Sequence, residues 1–240
     1  MFDYTSKAWH YDEFKQVGVD FESLEEVEEY DDGIGKGINI FDEVQDTADA
    51  VEMKCTDTVL EIGTATGELA IELSKMCKQI IAIDISEPML IYARKKARQR
   101  GQDNIKFITA GFLTYQHEGP LFDSVISKMT LHHLPELWKM IAIKRVYDML
   151  KPGGKFLLKD AILSLEIKNV NDFYTFMDEY VQGTRDVLGD KQADATAINC
   201  KEEYPMCLCS IEAILKTVGF SVDSITIHTG YLATIVCSKH

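Results

Sequence analysis

One short run constrains this chain more than any other: Val59-Leu60-Glu61-Ile62-Gly63-Thr64-Ala65-Thr66-Gly67-Glu68-Leu69. An apolar segment rich in β-branched residues breaks at a glycine, passes through a short polar turn and resumes as a helical pattern. Gly63 allows a tight turn, and Gly67 lets the following helix lie close to the strand. Ala65 occupies the middle position, where a third glycine is common, and crowds the backbone slightly there. A strand that turns this way into a helix opens a βαβ unit, which demands a parallel sheet and places ligands at the carboxyl ends of its strands.

The rest of the chain continues that pattern. Between residues 57 and 159 the runs TVLEI, QIIAID, NIKFIT, FDSVIS and GKFLLKD alternate with stretches that predict helices at about 66–78, 86–100 and 136–150. Ser86 followed by Pro88 marks a helix start, because proline suits the first turn. The runs lack polar alternation, so their sheet is expected to be covered on both faces. Beyond residue 160 come a helical segment near 170–189, an irregular stretch to 209 and a helix from about 210 to 218. The patterns FSVDSITIH and YLATIVCS then flank Thr229-Gly230. A short glycine turn cannot make a parallel crossover, so these two form an antiparallel hairpin. At the other end, residues 1–56 read as an acidic helical cap or lid. Phe41, Val44, Ala48 and Val51 recur there at helical spacing, after glycines at 33, 35 and 37. Residues 57–240 then form one domain.

Composition narrows the partners. Twenty-five Lys and Arg stand against 39 Asp and Glu, a net charge of −14. Such a field repels polyphosphates and anionic lipid, which argues against nucleic acid and membrane as partners and favours a small cationic ligand. There is no apolar run of membrane-spanning length, and the start MFDYTSKAWHYDEF lacks the basic and apolar regions of a secretory signal. Six cysteines at 55, 77, 200, 207, 209 and 237 are scattered and read as free thiols of a cytoplasmic protein. Cys200, Cys207 and Cys209 lack the paired spacing of a structural zinc site, so no metal is expected.

The chemistry begins with Asp84, at the end of the second strand run. A carboxylate at that strand tip can accept both vicinal hydroxyls of a ribose; the plainer alternative is a cap ahead of Ser86. Glu61 and Glu68 flank the first helix start and would repel a dinucleotide's pyrophosphate. A nucleoside carrying a cationic amino-acid tail fits instead, and S-adenosylmethionine is such a molecule.

With these features the sequence resembles the class I S-adenosylmethionine-dependent methyltransferases of the small-molecule type. The likeness rests on the Glu61–Gly67 turn, Asp84, Phe122-Asp123, Leu131-His132-His133-Leu134 and Leu150-Lys151-Pro152-Gly153-Gly154. It implies an α/β, Rossmann-like three-layer sandwich with a seven-stranded, mostly parallel sheet whose last strand is antiparallel. It also implies S-adenosyl-L-methionine as cofactor and S-adenosyl-L-homocysteine as product. Glu61, Gly63, Ala65 and Gly67 are then expected around the methionine portion, Asp84 on the ribose, and Ile85 and Met89 beside the adenine. Where such proteins often have an acidic residue after the third strand, this chain has Gly111, leaving the adenine to backbone groups and Phe112.

On the acceptor side, His132 and His133 are the candidate bases; the alternative is a cap and a packing residue. Lys128 either meets the cofactor's carboxylate or anchors a loop, and Lys36 either neutralises that carboxylate or is a solvated loop lysine. Among Phe2, Tyr4, Trp9, Tyr11 and Phe14, the hydroxyl-bearing Tyr4 and Tyr11 are the better lid candidates, the others reading as a docking face. Residues 160–209, with Phe173, Tyr174, Phe176, Met177 and Tyr180, are expected to complete the acceptor pocket or to form its core. The reading that follows is an enzyme, monomer or homodimer, that methylates a small molecule by in-line displacement. Its alternatives are a protein methyltransferase and a non-catalytic cofactor-binding relative. No Asn/Asp-Pro-Pro-Tyr motif for base or amide nitrogens is present.

Overall fold

A computed structural model describes residues 8–15, Val27 and residues 39–240. In chain order its elements are α1 (Ile40–Ala50), β1 (Thr58–Ile62), α2 (Glu68–Leu73), β2 (Gln79–Asp84), α3 (Glu87–Gln99), β3 (Ile105–Thr109) and β4 (Phe122–Lys128). A 3-10 turn (Leu131–His133) leads to α4 (Glu136–Met149), β5 (Leu150–Leu163), α5 (Val170–Leu188) and α6 (Asp190–Glu202). The chain closes with β6 (Met206–Cys207), α7 (Leu208–Val218), β7 (Phe220–Thr229) and β8 (Leu232–Lys239).

The main sheet runs β3-β2-β1-β4-β5-β8-β7, with β8 antiparallel to both its neighbours. The two-residue β6 pairs with the end of β5 outside this path, adding a short eighth strand to the expected seven. Neighbouring residues of one strand serve opposite cores, as a sheet covered on both faces requires. Val59 packs with Val44, Ala48, Leu69 and Leu73 of α1 and α2. Leu60 and Ile62 pack with Ala142, Ile143 and Val146 of α4 and Ile211, Ile214 and Leu215 of α7. The chain leaves β1 toward β2 and β3, then returns to place β4 on the other side of β1. The carboxyl ends of β1 and β4 therefore diverge into a crevice, where open α/β sheets bind ligands.

Three local expectations are corrected. The stretch before residue 209 is not irregular: α6 fills most of it. Its sequence shows no apolar stripe, and only Ala193 and Asn199 of the helix are buried, so periodicity could not reveal it. In α1, Val44 faces the core but Phe41 is 73% exposed. The first crossover helix is shorter than predicted, six residues from Glu68, because Thr64–Gly67 stays in the turn.

That turn is held from both sides. The Gly63 and Thr64 N–H groups donate to the Ile83 carbonyl at the end of β2, at 2.8 and 3.0 Å. Gly63 has φ +78°, and a Cβ there would lie 2.0 Å from Thr130 Oγ1. Gly63→Ala is expected to cost about 3 kcal/mol or more, combining left-handed strain with the collision. Denaturant unfolding followed by circular dichroism checks this, and unchanged stability would contradict the packing.

Candidate functional site

A crevice open to solvent lies at the carboxyl ends of β1 and β4. Its walls come from the β1 turn (Ile62, Gly63, Ala65), the β2 end and α3 start (Asp84, Ile85, Ser86, Met89) and the turn after β3 (Ala110, Gly111, Phe112). The β4 end supplies Lys128, Met129, Thr130, His133 and Leu134, and the N-terminal segment adds Glu13 and Lys15. Gly63, Ala65, Asp84, Ile85, Met89, Gly111, Phe112, Lys128 and His133 are thus brought together. Glu61, Gly67, Tyr11 and His132 stand behind or beside these walls.

Asp84 ties the site together. Its Oδ2 accepts from Ala65 N–H at 2.8 Å and its Oδ1 from Ser86 N–H at 2.9 Å. Burial raises its pKa, and the backbone donors of Ser86, Ala65 and Ile85 pull the other way. The bond to Ala65 also accounts for that residue's φ of +47°. A left-handed alanine costs roughly 1–2 kcal/mol, and a buried carboxylate accepting its N–H offsets that cost. Each carboxylate oxygen has a second lone pair, so Asp84 can also receive two hydroxyls.

Glu61 lies beneath the floor, 5% exposed, accepting from Thr64 Oγ1 at 2.6 Å. Burial raises its pKa to about 7; Asp84 adds to this, while Thr64 and Lys128 oppose it. Gly67 works in packing: a Cβ there would meet Ala93 Cβ at 2.9 Å and the Phe107 ring at 3.2 Å.

Lys128 borders the crevice and also anchors α1. Its Nζ donates to Glu43 Oε1 at 2.6 Å and to Thr47 Oγ1, and Lys159 donates to the same Glu43 carboxylate. Burial lowers the Lys128 pKa, and Glu43 counteracts it.

The N-terminal segment brings a group that sequence reasoning missed. Glu13 accepts from Leu113 N–H at 3.0 Å and from both Thr114 N–H and Thr114 Oγ1 at 2.6 Å. Its carboxylate fills the space that a Cβ on Gly111 would occupy, at 2.5 Å. A carboxylate therefore does stand beside the turn after β3, contributed from 100 residues upstream. No local spacing signals this. Nearby, Trp9 stacks on Trp138 at 6.3 Å between centroids, and Tyr11 donates to the His133 carbonyl at 3.3 Å. Trp9 and Phe14 remain largely exposed. Phe2, Tyr4 and Lys36 lie outside the described residues.

The two histidines part company. His132 is buried, with Nδ1 2.6 Å from Asp160 Oδ1 and Nε2 3.2 Å from Glu203 Oε2. Burial alone would lower its pKa, but the charges and hydrogen bonds of Asp160 and Glu203 hold it up at about 9. Both of its nitrogens thus face carboxylates, the placement of a satisfied packing residue. His133 is one-third exposed and faces the crevice, its Nδ1 3.7 Å from Glu203 Oε1. Lys139 of α4 clamps the same corner by donating to the Tyr204 carbonyl. Phe176 and Tyr180 stack within a small core with Ala161, Met177 and Tyr231, while Tyr174 points outward.

The fold defines an open α/β protein with a crevice at its topological switch point, where such sheets bind ligands. Residues 59–154 match the family model described as a methyltransferase domain. An uncharacterised methyltransferase of Geobacillus sp. (strain WCH70) is 32% identical over 50% of this chain, which spans 55% of that relative's length. A carboxy-S-adenosyl-L-methionine synthase of Nautilia profundicola is 26% identical over 76% of this chain and 77% of its own. In fold, a Haemonchus contortus phosphoethanolamine N-methyltransferase 2 in complex with S-adenosyl-L-methionine matches with TM-score 0.68 at 17% identity, covering 90% of this chain and 57% of that one. Residues 59–154 are thus a methyltransferase domain by the family match, and solved methyltransferases share the fold around it.

Glu61 generates a pH prediction. Its pKa is raised on folding, so its contribution to stability is complete below about pH 4.5 and is lost as pH rises through about 7. Glu61→Gln is expected to leave stability near its wild-type value at pH 5 and to exceed wild type by up to about 3 kcal/mol at pH 8 in the ligand-free protein. Thermal unfolding across this range checks it; a wild type as stable at pH 8 as at pH 5 would contradict the burial of an ionisable Glu61.

Proposed function

We propose that this chain binds S-adenosyl-L-methionine in the crevice and transfers its methyl group to a small-molecule acceptor by in-line displacement, leaving S-adenosyl-L-homocysteine. The observation that carries the reading is Asp84, a buried carboxylate on the crevice wall with lone pairs to spare for two ribose hydroxyls. The donor set suits this cofactor: Ile85, Met89 and Phe112 offer an apolar slot for a base, and Asp84 brings a carboxylate to the same wall. The cofactor supplies a methyl carbon already activated by sulfonium.

What remains for the protein is alignment and exclusion of water. Gly63 lets the backbone approach the ligand, and the Lys128 ammonium on the crevice wall suits a carboxylate tail. The acceptor enters beside His133, the cleft-facing imidazole. Residues 8–15 cover part of the crevice, with Glu13 and Lys15 on its wall. Residues 160–209 act as the acceptor-side wall, with Glu203 and Tyr204 meeting the histidine turn. A net charge of −14 and the confined crevice favour a small acceptor over a polyanion.

Calorimetry with S-adenosyl-L-homocysteine tests the reading. Binding is expected, and Asp84→Ala should weaken it about 30-fold or more, since two charge-assisted hydrogen bonds are lost. Incubation of labelled cofactor with a metabolite extract should place the label on small products. No binding would end the proposal, and label found only on macromolecules would replace the acceptor class.

A further inference from the structure

We propose that His132, His133 and Glu203 form a zinc-type metal site at the acceptor end of the crevice. This goes beyond the methyltransferase reading and departs from the expectation of no metal. The ligand atoms of these three side chains all lie within 4.8 Å of one another. His132 Nε2 is 3.2 Å from Glu203 Oε2, and His133 Nδ1 is 3.7 Å from Glu203 Oε1. A tetrahedral ion with bonds near 2.0–2.1 Å has edges of about 3.3 Å, so little movement is needed to admit one.

The surrounding groups are those a metal site requires. Asp160 Oδ1 meets His132 Nδ1 at 2.6 Å, which fixes the imidazole with Nε2 toward Glu203. Asp160 is itself held by the N–H groups of Leu131 at 2.8 Å and Ala161 at 2.7 Å. On the far side, Glu203 Oε2 accepts from Asn199 Nδ2, and Asn199 Oδ1 accepts from Tyr231 OH at 3.0 Å. A carboxylate behind a ligating histidine and a hydrogen-bonded ligating carboxylate are the usual supports of bound zinc. The metal would replace the proton shared between His132 and Glu203.

Two imidazoles and one carboxylate favour zinc over magnesium or calcium, which prefer oxygen alone. Three protein ligands leave a fourth position, the arrangement of sites that act on a substrate. His133 borders the crevice, so that position opens toward it. An acceptor bearing a hydroxyl or thiol is the class that would take it; this last point rests on the methyltransferase reading, whereas metal binding does not.

The test strips the full chain with a chelator, titrates it with Zn(II) by calorimetry and measures bound zinc by mass spectrometry. S-adenosyl-L-homocysteine binding by the wild type is recorded alongside. One zinc per chain is expected, with affinity reduced at least tenfold in both Glu203→Gln and His133→Ala. Because His133 is part-exposed and its contact with Tyr11 runs through the backbone carbonyl, His133→Ala keeps the test valid if the buried Glu203 variant misfolds. No retained zinc, or zinc affinity unchanged in His133→Ala, overturns the site. If S-adenosyl-L-homocysteine binds and zinc does not, only this inference falls. If zinc binds and S-adenosyl-L-homocysteine does not, the metal site stands and its part in methyl transfer falls.

Discussion

The carboxylate of Asp84 is the interaction on which the rest depends. It sits where β2 ends, takes the N–H of Ala65 from the turn after β1, and takes the N–H of Ser86 at the start of α3. Three elements that the chain reaches in succession are thereby fixed at one point. Without that acceptor, a left-handed alanine would stand in the turn with its N–H unsatisfied. The same oxygens face the crevice, so the group that organises the turn is also the group a ribose would meet.

A second acid, Asp160, buried in β5, plays an equivalent part for the turn after β4. It holds the turn after β4 through Thr130 and Leu131 N–H and holds His132 through its imidazole. His132 passes the connection on to Glu203, which caps the end of α6. Removing one partner from such a buried charged chain costs several kcal/mol, because the others are left uncompensated. Two carboxylates thus hold the turns around the crevice, Asp84 those after β1 and β2 and Asp160 that after β4.

Much of this was legible in the sequence because its causes are local. The strand runs, the glycine turn, the Ser86-Pro88 helix start and the Thr229-Gly230 hairpin each follow from the conformational limits of a few adjacent residues. Asp84 was legible for the same reason, whereas Asp160, the acid ending GKFLLKD, was not singled out. Contacts across the chain were not. Glu13 reaches the Gly111 turn from the N-terminal segment, Glu43 reaches Lys128 from α1, and Glu203 reaches His132 from α6. Nothing in spacing ties those positions together. Helix α6 escaped because its packing face is small and polar, with Ala193 and Asn199 its buried members.

A crystal structure with S-adenosyl-L-homocysteine bound measures the central claim most directly, through the distances from the Asp84 carboxylate to the ribose. The account predicts both sugar hydroxyls within about 2.5–3.0 Å of the two Asp84 oxygens, with the Ala65 bond kept. A sugar seated elsewhere, with Asp84 turned to solvent or bonded to the backbone alone, would contradict it.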